Sequence, residues 1–279
     1  MTQNLWYSLF LTCGDTAPDP ATIANRLTES LTEQGYTPYD PFGILPGSVY
    51  DSSVRAFVAP AGGVWVQLLT EAPFPASIVA ALTAAHTGLL VRIDAPDTLT
   101  VEAHVDGHHA EDTVAALAPY LREGKNAHDL SSALNRTNIT IIEPDESQDF
   151  LPPGALPDDI QQMAQGVDAG SLNKMFGRVT DGLFGRLGGD SAAAKALVEQ
   201  STEMDWNTPT GWKVRALLDM LSVPPGWQQP AFVALRSAYG LHIRRQRKPD
   251  ARLYPGDAET MKLVPNALDY LPVYAGKNT

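Results

Sequence analysis

Two β-rich runs, Val54–Ala59 and Val64–Thr70, flank the tetrapeptide Pro60-Ala61-Gly62-Gly63. Branched and aromatic side chains suit a pleated surface, and proline with paired glycines suits a reversal, so the stretch predicts an antiparallel hairpin. A lone hairpin is marginal in water and needs further strands or a helix over its apolar face. The preceding sequence offers both. Leu5–Thr12 is an apolar run that reads as a buried first strand. Asp19-Pro20 then supplies an N-cap and a proline at the first helical position, while Ile23, Leu27 and Leu31 recur at helical spacing. A helix is therefore predicted over Pro20–Gln34, with Gly35 as its stop.

The pattern continues past the hairpin. Tyr36–Ser53 carries prolines, glycines and tyrosines without a period and is expected to be a long loop, of a kind that often serves function. Pro75 opens a second helix through Ile78, Val79 and Leu82, ended by Gly88. Leu89–Asp94 and Leu99–Val105 predict another strand pair, turned at Ala95-Pro96-Asp97-Thr98. Asp106-Gly107 leads into a third helix bearing Val114, Leu117, Ala118 and Leu121, in which Pro119 predicts a kink or an early end. A last strand is expected at Asn138–Ile142.

Residues Glu143–Pro157, rich in acids and proline, read as a linker. Beyond it the chain reads as helical, with an amphipathic run Leu172–Leu187, a start at Thr208-Pro209 and another at Pro230 running to about Arg245. The expected organisation is an acidic α+β domain over 1–142, a linker over 143–157 and a mostly α-helical domain over 158–279. Charge divides the same way. Residues 1–150 hold 6 Lys+Arg and 19 Asp+Glu, a net of −13, and residues 151–279 hold 14 and 13, a net of +1.

Two strand orders fit residues 1–142. With Leu5–Thr12 in an antiparallel sheet and helices on one face, β-α-β-β-α-β is the order of a ferredoxin-like sandwich with an added strand and helix. If the loop Tyr36–Ser53 contributes a strand, the order from Pro20 to Glu123 is similar to that of the class I type III secretion chaperones. The likeness is one of topology over less than half the chain, and it carries no function with it.

Bulk properties exclude several classes. Net charge −12 argues against a general nucleic-acid binder, which needs clustered cations. A single cysteine, Cys13, cannot close an internal disulfide and fits a reducing compartment. We expect no signal peptide in Met1–Gly14 and no membrane span, and read the protein as cytoplasmic. Nucleophile-elbow, P-loop, dinucleotide and His-Glu-x-x-His motifs are absent from the sequence.

Two patches could carry chemistry. Glu102, His104 and Asp106 alternate outward along a strand, with His108 just beyond, and imidazole with carboxylate is a donor set for a divalent metal such as zinc. The plain alternative is a solvated sheet face. Arg236, Arg244, Arg245, Arg247 and Lys248 belong to the one dense basic run, which extends to Arg252 and lies around a helix C-terminus. It could grip an anionic ligand or partner, or dock on the acidic N-terminal part while complementing the helix dipole. These features favour a non-catalytic interaction or regulatory module that binds a protein partner and needs no cofactor. The alternatives are a metal-dependent, hydrolase-like enzyme using the His104 strand, and an anionic-ligand sensor using the basic run.

Overall fold

Strand β1 (Trp6–Thr12) is buried at every position. A strand shows that pattern only when both of its faces are covered, and this fact organises the molecule. The structure is a computed structural model and describes residues 5–43, 50–95, 98–135, 206–223, 231–250, 253 and 256–278. Along β1, Leu9 and Leu11 enter one core, while Trp6 and Phe10 enter another on the opposite face.

The sheet is antiparallel at every recorded pairing. After β1 come helix α1 (Pro20–Glu33) and strands β2 (Thr37–Pro38), β3 (Ser52–Val58) and β4 (Val66–Thr70). Helix α2 (Ala76–Thr83), then β5 (Thr87–Ala95), β6 (Thr98–Val105) and β7 (His108–His109) follow. The eighth strand, β8 (Leu271–Lys277), comes from the far end of the chain, and the order is β2-β8-β3-β4-β1-β5-β6-β7. The Asp19 carboxylate caps α1 by accepting from the Thr22 amide at 2.8 Å. Ile23, Leu27 and Leu31 then bury on Leu9, Val66, Leu68 and their neighbours, each worth about 1.5–3 kcal/mol of apolar transfer.

The second face differs from the expectation of helices on one side only. Helices α3 (Thr113–Leu117), α4 (Ala127–Asn135), α5 (Pro209–Met220) and α6 (Phe232–Arg247) cover it, with α7 (Asp257–Leu263) packed on α6. Pro119 does end α3 early, in a 3-10 turn at Ala118–Tyr120. The physical reason for the second layer is the sheet itself. Phe10, Phe57, Trp65, Leu69, Leu89 and Val91 point away from α1 and α2, and Val214, Leu217, Leu218, Phe232 and Leu235 bury against them. The Trp65 indole donates to the Leu221 carbonyl at 2.8 Å, seating the end of α5 on the sheet.

Residues Met1–Thr137 and Glu199–Thr279 form one compact unit. The segment expected as a separate helical domain thus contributes α5, α6, α7 and β8 to the same unit as the N-terminal sheet. A second unit spans Asn138–Val198. The strand expected at Asn138–Ile142, the linker 143–157 and the helix Leu172–Leu187 lie outside the described residues. Among the described residues no helix is long and apolar enough to cross a membrane.

Candidate functional site

Strand β6 was expected to carry the metal donors. Its side chains alternate, with Leu99, Val101 and Ala103 joining the core under α3 and Glu102 and His104 on the other face. Glu102 is engaged there by Arg92, whose Nη2 lies 3.4 Å from Oε1. His104 Nε2 lies 3.5 Å from the second Glu102 oxygen, a contact too long to count as a hydrogen bond. The His104 ring meets His109 edge-on, centroids 5.6 Å apart. Burial pushes the His104 imidazole below its ordinary value, while Glu102 opposes this and His109 adds to it.

Asp106 and His108 do not join this group. Asp106 and Gly107 both have positive φ, 51° and 79°, the backbone a two-residue hairpin turn requires. They fold β7 back onto the end of β6, pairing His104 with His109 and Val105 with His108. His108 therefore lies on the opposite face from His104, and Asp106 sits exposed in the turn. Among the described residues no three His, Cys, Asp or Glu side chains are gathered where they could hold a metal ion. The Asp-Gly dipeptide between β-prone residues is the signal that announces this hairpin.

What β7 leaves uncovered is more informative. The Ala110 amide donates to the Ala103 carbonyl at 2.8 Å, so the backbone groups of Ala103 point away from β5. Strand alternation has period two, and those of Leu99 and Val101 point the same way. Among the described residues no strand pairs with them, and Thr98–Val105 contains neither proline nor lysine.

The opposite edge is built otherwise. On β8 the Tyr274 carbonyl accepts from the Tyr39 amide at 2.9 Å, which makes Pro272, Tyr274 and Gly276 the outward positions. Pro272 has no N–H to present there. Gly276 lies beneath the Tyr50 ring, where a Cβ would overlap the aromatic carbons. Tyr50 in turn packs on Tyr39 at 5.2 Å, and β2, which includes Pro38, pairs with the end of β8. Short edge strands, prolines and covering loops are the standard means of blocking further pairing.

The basic run is largely engaged within the molecule. Arg236 on α6 reaches Glu71 Oε1 at 3.3 Å, Arg244 pairs with Asp257 of α7 at 2.6 Å, and Arg247 donates to the Phe42 carbonyl. Arg245 and Lys248 are exposed at the end of α6, where cations suit the helix dipole. Sequence reasoning missed the partners of Arg236. Arg55 on β3 binds the second Glu71 oxygen at 2.8 Å and donates from Nε to the Tyr39 hydroxyl at 3.2 Å. No local motif joins Arg55, Glu71 and Arg236, which meet only because α6 returns to the sheet. Cys13 is exposed at the end of β1. No protein-family model, no curated protein and no solved structure matches this chain.

Proposed function

We propose that this protein is a non-catalytic interaction module that takes up an extended segment of a protein partner along the open edge of β6. One observation carries the reading. Among the described residues, the β8 edge is blunted by prolines and covering tyrosines, while no strand pairs with the outward backbone groups of Leu99 and Val101. An added strand would exchange main-chain hydrogen bonds with those two residues, and side-chain alternation would set its specificity. The acidic N-terminal half, at −13, favours a segment flanked by cations.

The core order β3-β4-β1-β5, with α1 and α2 on one face, supports reading this region as a ferredoxin-like sandwich to which β8 and α3–α7 are additions. A cytoplasmic location accords with the single cysteine. Glu102 is engaged by Arg92, so the metal-dependent alternative rests on residue types alone.

The test compares the tagged full chain with a Val101→Pro variant, each isolated gently from its own cells and weighed by native mass spectrometry. Proline removes one outward donor and blocks approach without touching the bonds to β5. The reading expects a stoichiometric partner on the wild type and at least about tenfold less on V101P, a cost near 1.4 kcal/mol, with an unchanged near-UV circular dichroism spectrum. Equal recovery on both proteins, or no partner on either, would overturn it.

A further inference from the structure

Tyr274, Arg55 and Glu71 lie in a row on one sheet face, across β8, β3 and the end of β4. Arg55 pairs with Tyr274 in register, and the Glu71 amide donates to the Arg55 carbonyl at 3.1 Å. Arg236 descends from α6 onto the free side of Glu71. Two guanidiniums thus share one carboxylate, which leaves a surplus of one positive charge in a cluster whose side chains are each roughly a third to two-fifths exposed. The aromatic rings of Tyr39, Phe42, Phe57 and Tyr274 stand beside it, with centroids 5.7 to 5.9 Å from Tyr274.

One group in this cluster is unsatisfied. Tyr274 is 4% exposed, and its hydroxyl has no hydrogen-bond partner among the described residues. A buried hydroxyl without a partner is destabilising, so it calls for an explanation. Burial drives its pKa far above the ordinary phenol value, which leaves it a donor at every working pH; Arg236, Glu71, Tyr39 and Arg55 are its charged and titrating neighbours.

We infer that Arg55, Arg236 and Tyr274 form a binding site for the carboxylate group of a small organic acid. A guanidinium offers paired donors that match a carboxylate, and the phenol supplies a third. The surplus charge is one, so a monoanion neutralises the cluster whereas a phosphate dianion overshoots it. The aromatic wall suits an apolar body on the acid. This site lies on β8, β3 and β4, across the sheet from β6, and is independent of the strand-edge reading.

The experiment uses the full chain and titrates benzoate and acetate by isothermal calorimetry, with benzamide and inorganic phosphate as controls. Saturable binding of a carboxylate is expected, tighter for benzoate than acetate and absent for benzamide. Tyr274→Phe removes only the unpartnered hydroxyl and leaves the ring packing intact, and it is expected to weaken benzoate by about tenfold. Arg236→Gln is expected to weaken it further. Binding of neither acid by the wild type overturns the inference. So does equal binding of benzamide, a preference for phosphate, or unchanged benzoate binding by folded Y274F.

Discussion

The two edges of this sheet solve one problem in opposite ways. At β8 the outward positions are a proline, a tyrosine bonded to the next segment, and a glycine roofed by Tyr50. At β6 the outward positions are Leu99 and Val101, and among the described residues no strand pairs with them, the short β7 reaching only His104 and Val105. A chain that protects one edge so thoroughly gains little if the other is a liability. The difference teaches that the open edge is the part of the fold to question for function, and that the closed edge belongs to stability.

Several measurements would break or sharpen that comparison. The largest effect is expected at the support of the closed edge. Phe57 is fully buried against Phe42, Phe232, Tyr239 and Tyr274, and Phe57→Ala is expected to cost about 3–5 kcal/mol in denaturant unfolding. Gly276→Ala should displace Tyr50 and cost about 1–3 kcal/mol, read as a lowered thermal midpoint. On the open side, two adjacent prolines separate inward from outward backbone groups. Thr100→Pro removes a donor facing β5 and is expected to cost about 1–3 kcal/mol, while Val101→Pro removes an outward one, disturbs only a partly buried side chain and should cost less than Thr100→Pro. Equal costs for the two would refute the assigned orientation of β6.

The smallest effect is a pH dependence beside the open edge. Burial is the leading cause that lowers the pKa of both His104 and His86 in the fold, so the unfolded chain takes up protons first as pH falls. Stability is therefore full above the ordinary imidazole value of about 6.5 and declines as pH drops below it. His104→Gln is expected to flatten that decline in a series of unfolding curves between neutral and mildly acidic pH. An unchanged slope would show that His104 is not one of the groups responsible.

Legibility in the sequence followed locality. Asp19-Pro20, the Ile23, Leu27 and Leu31 spacing, and the strand pairs around Pro60–Gly63 and Ala95–Thr98 are encoded by neighbours, and each corresponds to an observed element. Strand β8 is illegible in the sequence because Leu271–Lys277 contains Pro272 and Gly276, residues that weaken a strand assignment on propensity alone. Their positions make sense only on an edge, one with its missing donor outward and the other beneath a ring. The Asp106-Gly107 dipeptide is both a hairpin signal and a plausible helix lead-in, and the structure uses it as the former. The Arg55–Glu71–Arg236 cluster joins residues up to 181 positions apart, and only the return of α6 onto the sheet brings them together. The His104 group is divided for the opposite reason. Alternation predicts a shared face for Glu102, His104 and Asp106, but the turn at Asp106-Gly107 ends the strand there and sends His108 to the other side.

Amide hydrogen exchange on the free protein and on the complex recovered from its own cells bears most directly on the open edge. The amides of Leu99 and Val101 should exchange quickly in the free chain and become protected in the complex, while those of Tyr39 and Gly276 should be slow in both. A bound partner that leaves Leu99 and Val101 unprotected would contradict the account.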